Sequence, residues 1–429
     1  MKKLLLLSCL IPLFATAQTT VSSDSAKYAG FVKYYTKAIA QTPNDATAYY
    51  KRAEARLNLE DYAGSIADNN KAITLNPKYE EAWLDRGRAK YALKDYNEAI
   101  KDYTQALVLK PTSSVAYYDR GLAKRKLEDF KGAVADYNQA IAIDPKDEDF
   151  YNDRGLAKKH LEDYKGAIAD FTQAIAINAK DPNPYYNRAD CKYDLKDYQG
   201  ALDDFTQTLS LNPNDADAWY SRGDAKRHLK DDKGAIEDYT KAINLRPEYA
   251  DAYNNRGLCK YNLGDYEGEI ADDNRIISFN PRYANAYYNR GIANSQLKNY
   301  NDVVDDCSQY IALSPKDPDG YFKRGNAKFS LEDYKNAIED YSVTLSLNAK
   351  YVDALYNRGL SKRNLNDLTG AIEEYNKVIV MDPKYADAYN GRGYAKYLLK
   401  DNAGACVDFT KAAELGSTYA PENIKKFCK

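Results

Sequence analysis

The stretch YYDRGLAKRKLEDFKGAVADYNQAI, residues 117–141, decides the fold. It contains two amphipathic helical segments joined by a short turn, and residues such as Tyr117 and Gly121 recur at helical spacing along one face of the first segment. Arg120 and Lys124 fall in the middle of that same face. Both cations therefore need a partner, because an unpaired charge in a protein core is very costly.

The stretch is one copy of a repeat of 34 residues. Its arginine recurs without insertion in eleven copies, at Arg52, Arg86, Arg120, Arg154, Arg188, Arg222, Arg256, Arg290, Arg324, Arg358 and Arg392. If this arginine is position 0, position +1 is Gly or Ala, +7 is Leu, +17 is aromatic in eight copies and +25 is proline in eight. Proline cannot continue a helix, so it marks the end of each unit. The pattern predicts an all-α fold of stacked helix pairs, since one pair cannot bury its own apolar face.

The repeat resembles that of the tetratricopeptide repeat family, whose unit carries an aromatic residue, a small residue, Ala, a second aromatic residue, Ala and Pro. The matching residues around the quoted copy are Tyr117, Gly121, Ala133, Tyr137, Ala140 and Pro111. The resemblance covers about residues 44–418. It implies a right-handed α-solenoid, a superhelix of about eleven helix-turn-helix repeats, with a concave groove lined by the first helix of each pair.

Half-repeats are expected to cap both ends of this stack. Residues 18–43, with a helix over 26–42, form the N-terminal cap, and residues 419–429 form a closing helix. The apolar residues expected to face the repeats are Phe31, Ala38 and Ile39 in the first cap and Ile424 and Phe427 in the second.

An acidic residue at +16 is the expected partner of the arginine, because this position is acidic in all eleven copies. We expect a two-pronged ion pair within one repeat or across to a neighbour. The basic residue at +4 is expected to bury its stem and extend its head to the edge. Candidate members are Arg86, Asp102, Arg120, Asp136, Arg154, Asp170, Arg222 and Asp238. Their presence in every copy favours a structural role over a ligand site, and that role is to fix register rather than to add stability.

The opposite face of the first helix, positions −5, −2, −1, +2, +5 and +6, is expected to line the groove, and we call it the groove face. Tyrosine is the commonest residue at −2, and Asn or Asp predominates at −1. Tyrosine offers contact area at low entropic cost, and a row of Asn and Asp can hydrogen-bond an extended peptide. The row resembles the asparagine ladder of the O-GlcNAc transferase family. Candidate partner-binding residues are Tyr118, Asp119, Tyr186, Asn187, Tyr220, Asn255, Tyr288, Asn289 and Phe322. The alternative is that these residues are solvated or pack between repeats.

Repeats seven and eight depart from the pattern of the other copies. The unusual residues are Glu269, Asp273, Ile276, Asn294, Val303, Cys307 and Tyr310. They indicate either sequence drift or a local bend or contact site near residues 265–310.

The N-terminus has a different composition from the repeats. Two lysines precede an apolar run over residues 4–14, and a small-residue site follows at residues 15–17. This arrangement predicts a secretory signal peptide over residues 1–17 and an exported protein, periplasmic or secreted. The alternative is a lipoprotein in which Cys9 is acylated. No other run is long enough to span a membrane.

Five cysteines follow the signal peptide. Cys191 and Cys259 occupy the small +3 position and are expected to be free and buried, while Cys307 replaces a core aromatic residue. In an exported protein we predict a disulfide between Cys406 and Cys428, which would staple the terminal cap where a solenoid frays most easily.

The remaining sequence features argue against catalysis and against several partners. The chain has 429 residues, 44% hydrophobic, with a net charge of −2 and interleaved charges, so it lacks the basic stripe of a nucleic-acid scaffold. The mean hydropathy of −0.70 excludes a membrane protein. His160 and His228 both lie at +6, two repeats apart, which is too far to share a metal ion. No phosphate loop, nucleophile motif or zinc spacing is present, so no enzyme, metal or cofactor is expected.

The sequence therefore predicts a non-enzymatic, exported scaffold or adaptor that binds protein or peptide partners in a groove lined by Tyr, Asn and Asp. The alternative is a glycan-binding solenoid of the cell envelope, since aromatic faces also stack on sugars. Neither nucleic acid nor a membrane span is expected.

Overall fold

The computed structural model describes the backbone of residues 17–428 and the side chains of residues 24–428. Over this range the chain forms 24 α-helices and no strand. Residues 1–16 of the predicted signal peptide, with the alternative acylation site Cys9, lie outside the described residues.

The helices follow the predicted period, with two helices in each repeat. The first helices are α2 (Ala46–Asn58), α4 (Glu80–Ala92), α6 (Ser114–Lys126), α8 (Glu148–His160), α10 (Pro182–Asp194), α12 (Ala216–His228), α14 (Ala250–Asn262), α16 (Ala284–Gln296), α18 (Pro318–Ser330), α20 (Val352–Asn364) and α22 (Ala386–Leu398). The second helices are α3 (Tyr62–Leu75), α5 (Tyr96–Leu109), α7 (Phe130–Ile143), α9 (Tyr164–Ile177), α11 (Tyr198–Leu211), α13 (Asp232–Leu245), α15 (Tyr266–Phe279), α17 (Tyr300–Leu313), α19 (Tyr334–Leu347), α21 (Leu368–Met381) and α23 (Asn402–Glu414). α1 (Ala17–Gln41) precedes them and α24 (Ala420–Phe427) follows.

The turn inside each repeat is set by positions +8 and +9. Glu128 at +8 adopts a left-handed φ of 61°, which ends α6 and reverses the chain. Asp129 at +9 then caps α7, because its side chain accepts a hydrogen bond from the backbone N–H of Gly132 at 2.9 Å. The turn therefore places the two helices of a repeat side by side in opposite directions.

The core of a repeat is built from small residues around one aromatic ring. Gly121 on α6 faces the ring of Tyr137 on α7, and a Cβ at this glycine would lie 2.6 Å from Cε1 of the ring. Ala123 and Ala133 are completely buried beside it. In this repeat glycine at +1 therefore accommodates the close approach of the +17 ring.

The chain divides into two compact units, Met1–Pro213 and Asn214–Lys429. In the first unit α2, α4, α6, α8 and α10 contact one another in succession, each also packed against its own second helix. In the second unit α12, α14 and α16 form one such succession, and α18, α20 and α22 form another. Successive first helices thus form a continuous surface in each of these groups. In the part of the chain that the structure describes, no helix is both long and apolar enough to cross a membrane.

The N-terminal cap differs from its prediction in two ways. Its helix α1 begins at Ala17 rather than at residue 26, and one residue is placed differently. Ile39 is 9% exposed on α1, and Ala38 is partly buried, but Phe31 is 42% exposed. Phe31 falls at +13 of the repeat pattern, the position that packs against a repeat's own first helix. The cap has no such helix, so the inward placement of Phe31 was wrong, whereas Ile39 at +21 faces the first helix of the next repeat.

The C-terminal cap packs on the last repeat through Phe427. Its ring centroid lies 4.1 Å from that of Tyr397 and 6.1 Å from that of Phe409. Ile424 is partly buried on the same short helix.

Candidate functional site

Each repeat arginine meets the +16 carboxylate of its own repeat. Arg120 donates from Nε to Oδ2 of Asp136 at 3.0 Å and from Nη2 to Oδ1 at 2.7 Å. The side chains of these residues are only 17% and 4% exposed. The other candidate pairs match this geometry, with Nη2–Oδ1 distances of 2.6 Å in Arg86–Asp102, 2.6 Å in Arg154–Asp170 and 2.8 Å in Arg222–Asp238. We call these arginines, the residues at +4 and the carboxylates at +16 the arginine ladder.

The same arginine also bonds to the preceding repeat. Nη1 of Arg120 donates to Oγ1 of Thr104 on α5 at 3.1 Å, and Nη1 of Arg154 donates to Oδ1 of Asn138 on α7 at 2.7 Å. Sequence reasoning missed this second contact, although a signal exists, because +18 is Asn, Thr or Ser in all eleven copies. One guanidinium therefore joins two helices of its own repeat and a helix of its neighbour.

The residue at +4 does not extend to the edge, so that expectation was wrong. Nζ of Lys124 lies 2.8 Å from Oδ2 of Asp136, the carboxylate that already binds Arg120. A buried carboxylate has about four acceptor sites, and one guanidinium leaves some of them unfilled. The second cation satisfies them, since an unpaired buried acceptor costs free energy.

Repeats eight and ten show what the second cation contributes. In repeat eight Asn294 replaces it, and burial raises the pKa of Asp306 despite the hydrogen bonds from Arg290. In repeat ten burial also acts to raise the pKa of Glu374, but hydrogen bonds from Arg358 and Lys362 outweigh it and hold the pKa below its usual range. The pKa values of these two carboxyl groups are therefore shifted in opposite directions, and only Glu374 has a basic residue at +4.

The aromatic residues at −2 of the groove face pack against rings of their own repeat or of the next one. The ring of Tyr118 lies 5.8 Å from that of Tyr137 and 4.9 Å from that of Phe150 in the next repeat, and its hydroxyl donates to Asp153 at 2.6 Å. The other −2 candidates also contact rings, with centroid distances of 5.5 Å in Tyr186–Phe205, 5.0 Å in Tyr220–Tyr249, 4.9 Å in Tyr288–Tyr310 and 4.7 Å in Phe322–Tyr351. Each of these rings therefore packs against at least one other ring of the protein.

The polar residues at −1 form a ladder between successive first helices. Nδ2 of Asn187 donates to Oδ1 of Asn152 at 3.0 Å, and Nδ2 of Asn289 donates to Oδ1 of Asn254 at 3.0 Å. Two further −1 candidates make equivalent contacts, Asn255 to the hydroxyl of Tyr220 at 3.0 Å and Asp119 to Nε of Arg88 at 2.7 Å. An amide offers two donor hydrogens and two acceptor lone pairs, so the ladder uses part of this capacity and fixes the orientation of the rest.

The acids of the groove face are partly desolvated in repeats two and three. Burial raises the pKa of Asp85 to about 6, and the charge of Arg88 opposes the shift. Burial likewise raises the pKa of Asp119, again against Arg88. Carboxylates in this state gain from additional hydrogen-bond donors, such as the backbone N–H groups of a peptide.

Two of the departures in repeat eight, Val303 and Cys307, line a cavity of about 180 Å³. It is bounded by α14, α16, α17 and α18, all in the second unit, and we call it the repeat-eight cavity. Its lining includes Tyr261, Tyr288, Ser295, Tyr300, Cys307 and Lys323. The unusual residues named from the sequence include Cys307 but not Ser295, the one small residue among the eleven at +5.

Two acids of repeat seven are buried beside each other on α15. Glu269 is 2% exposed and Asp273 is 1% exposed, and one carboxylate oxygen of each has no hydrogen-bond partner among the described residues. Burial raises the pKa of Glu269 to about 8 and, together with the charge of Glu269, that of Asp273 to about 9. Both carboxyl groups are therefore protonated at neutral pH.

The cysteines and His160 have structural surroundings. The structure joins Cys406 and Cys428 in a disulfide, and Cys191, Cys259 and Cys307 are free and buried. The ring of His160 stacks on that of Phe130 in the preceding repeat at 4.4 Å. Among the described residues no group of three or more His, Cys, Asp or Glu side chains is placed to hold a metal ion.

Comparison with family models places the chain in a known class. A model described as TPR repeat matches residues 87–127, 121–161, 223–264 and 361–400, and models described as tetratricopeptide repeat match residues 27–80, 148–181 and 182–215. Together these matches cover more than half of the 429 residues. The protein is an all-α solenoid of helix-turn-helix repeats. It belongs to the tetratricopeptide repeat family.

The chain is also similar to several solved structures. The C-terminal part of a TPR repeat-containing protein from Cytophaga hutchinsonii is 21% identical, covers 56% of this chain and 98% of its own, and has a TM-score of 0.50. The APC/C hetero-tetramer Cut9–Hcn1 is 15% identical over 94% of each chain, with a TM-score of 0.42. YrrB, described as a TPR protein with an unusual peptide-binding site, is 23% identical over 43% of this chain and 95% of its own, with a TM-score of 0.40. Comparison with curated proteins returned no match.

Proposed function

We propose that this protein is an exported, non-enzymatic scaffold that binds peptides or protein segments along its groove face. Membership of the tetratricopeptide repeat family supports a protein–protein interaction scaffold, since its members are generally non-catalytic. The observation that carries the proposal is the −1 ladder, in which Asn187 and Asn289 are already oriented by bonds to the preceding repeat. Side chains ordered before binding lose less entropy when a ligand arrives, which favours affinity.

Peptide recognition is favoured over the glycan alternative by the packing of the −2 rings. Stacking on a sugar needs an open aromatic face, whereas Tyr118 lies against Tyr137 and Phe150. The polar capacity at −1 suits the alternating N–H and C=O groups of an extended peptide. Export is supported by the composition of residues 1–17 and by the Cys406–Cys428 disulfide, which is typical of an oxidising compartment.

A peptide selection tests the proposal. A random peptide library displayed on phage is panned against residues 18–429, and the affinity of selected peptides is measured by fluorescence anisotropy. The groove variant Asn187→Asp/Asn289→Asp keeps the side-chain shape but removes a donor and adds charge at two −1 positions. The control variant Asn97→Asp/Asn301→Asp makes the same change at two exposed +11 positions of second helices.

The expected result is a loss of at least about tenfold in affinity for the groove variant and none for the control, because tenfold corresponds to about 1.4 kcal/mol. Equal affinity for both variants would place binding elsewhere. A selection that yields no peptide, followed by binding on a glycan array, would favour the glycan alternative instead.

A further inference from the structure

Repeat eight lacks the inward ring that eight of the eleven repeats place at +17. In repeat three this ring belongs to Tyr137, and it approaches Gly121 so closely that a Cβ would lie 2.6 Å away. In repeat eight the residue is Cys307, and a Cβ on Gly291 would meet only its Sγ at 3.7 Å and a Cβ of Asp306 at 3.4 Å. The space of one side chain is therefore open behind Gly291.

Repeat eight also lacks the ring that several repeats place at +5. In repeats two, seven and nine the aromatic residue at +5 meets the +10 tyrosine of its repeat edge to face, with centroid distances of 5.2 Å in Tyr91–Tyr96, 5.2 Å in Tyr261–Tyr266 and 5.3 Å in Phe329–Tyr334. In repeat eight the +10 tyrosine is Tyr300, but Ser295 at +5 offers it no ring. Tyr300 therefore lines the cavity, where an incoming ring would make the contact that other repeats supply internally.

The size of the repeat-eight cavity fits such a ring. The cavity has about 180 Å³, and an apolar cavity of about 150 Å³ is known to hold benzene. Tyr261 and Tyr288 provide aromatic walls on the side of the first helices. An aromatic ring meeting these walls and Tyr300 would have edge and offset contacts, the arrangements that aromatic pairs prefer.

The rim of the cavity carries a cation that is unusual for its position. Lys323 occupies −1 of repeat nine, where seven copies carry Asp or Asn. Among the described residues Lys323 has no acidic partner, in contrast to Lys159 on the same face, which pairs with Asp190. A ligand that places a carboxylate beside its aromatic ring would therefore find a complementary charge here.

We propose that the repeat-eight cavity is the anchor of the peptide site and takes an aromatic side chain whose neighbouring carboxylate pairs with Lys323. The partner is thus a peptide in which an aromatic residue lies next to an acidic group. The inference rests on the proposed function and adds to it the position and the chemistry of the specificity-determining contact.

Two small probes test the cavity directly on residues 18–429. N-acetyl-3-fluorotyrosine carries the ring and a carboxylate, whereas its amide carries the ring alone, and binding of either is followed by ¹⁹F line broadening. The expected result is saturable binding of both probes, with the amide about fivefold weaker because it lacks the ion pair. Absence of saturable binding, or equal affinity of acid and amide, would overturn the assignment.

Variants that restore the repeat pattern should fill the cavity without lowering the stability of the protein. Ser295→Tyr/Cys307→Tyr places the usual rings at +5 and +17, and we expect probe binding to fall at least tenfold while the melting temperature stays equal or rises. Asn301→Tyr adds a ring at an exposed position of the same second helix, outside the cavity lining, and should leave probe binding unchanged. Lys323→Asn should remove the preference for the acid and leave the amide unaffected. Undiminished probe binding by the filled variant would contradict the proposal.

The peptides selected on the groove face separate this inference from the proposed function. If they bind the filled variant as tightly as the natural chain but lose affinity for Asn187→Asp/Asn289→Asp, groove binding stands and the cavity is not its anchor. If they also lose affinity for the filled variant, the anchor is supported.

Discussion

Arg222 on α12 and Asp238 on α13 face each other across repeat six and form a two-pronged ion pair, with Nε–Oδ2 and Nη2–Oδ1 distances both of 2.8 Å. Lys226 adds a second cation, its Nζ 2.8 Å from Oδ2 of the same carboxylate. The side chain of Asp238 is only 3% exposed. One buried carboxylate thus fixes two positions of the first helix, and its loss matters more than the loss of either cation.

The first prediction ranks the members of this group. Asp238→Asn leaves two largely buried cations without a carboxylate and should lower the free energy of unfolding by about 3 kcal/mol. Arg222→Met should cost less, about 1–2 kcal/mol, because Lys226 still pairs with Asp238. Urea denaturation followed by circular dichroism measures both, and the exposed neighbour Glu237→Gln serves as the control. A larger cost for Arg222→Met than for Asp238→Asn would refute the ranking.

The second prediction concerns the arginine ladder in repeat eight, which lacks a basic residue at +4. Asn294→Lys should return a second cation to Asp306 and stabilise the protein by about 1 kcal/mol at pH 7. The raised pKa of Asp306 should fall, so the gain should be present at neutral pH and disappear as the pH falls and Asp306 becomes protonated. The control Asn285→Lys adds the same charge at an exposed site of α16. Equal effects of the two lysines would show that net charge, not pairing, is responsible.

The third prediction concerns the buried acids of repeat seven. The pKa values of Glu269 and Asp273 are raised in the folded protein to about 8 and about 9. A folded pKa above the unfolded value gives stability that is complete below the unfolded pKa, near 4, and is lost as the pH rises through the folded values. The charged groups that influence them are Asp272, Arg290 and Asp306.

The stability of the natural chain should therefore decline between pH 5 and pH 9 more steeply than that of Glu269→Gln/Asp273→Asn, which cannot ionise at these sites. Melting temperatures across this pH range make the comparison. Parallel curves for the two proteins would mean that the acids ionise normally. A steeper curve for the variant would mean that folding lowers the pKa values of the two acids instead of raising them.

The fourth prediction concerns the disulfide of the closing helix. Under denaturing conditions without reductant, residues 18–429 should take up three alkyl groups, at Cys191, Cys259 and Cys307, and five after reduction. Cys406→Ser/Cys428→Ser should increase hydrogen exchange in α24 and α23 and leave α6 and α7 unchanged, because each repeat contacts mainly its neighbours. Uptake of five groups before reduction would exclude the bond.

The sequence predicted the features that a period can carry. Because an arginine at position 0 and an acidic residue at +16 recur in every copy, the pairing of Arg120 with Asp136 could be inferred from spacing alone. The helix pairs follow from the same repetition. The period does not specify which cations bind the same carboxylate, so the contact of the Lys124 side chain with Asp136 was missed. The misplacement of Phe31 has a related cause, since its position faces a helix that the cap lacks.

The repeat-eight cavity could not be derived from the sequence because it forms where two aromatic rings, at +5 and at +17, are both missing. Cys307 was recognised as unusual at +17, but Ser295 lies on the other helix, and only the packing shows that both side chains border the same space. The groove-face tyrosines were judged by type, whereas their packing against neighbouring rings follows from the spacing between repeats.

Photo-crosslinking locates a bound peptide and therefore tests most directly whether peptides bind along the groove face. Benzoylphenylalanine replaces either Asn262, exposed at +6 on the groove face of repeat seven, or Asn301, exposed at +11 on the second helix of repeat eight. With a peptide selected on the natural chain, we expect a crosslink from position 262 and none from position 301. A crosslink from position 301 alone would contradict this expectation, because the peptide would then lie away from the groove face.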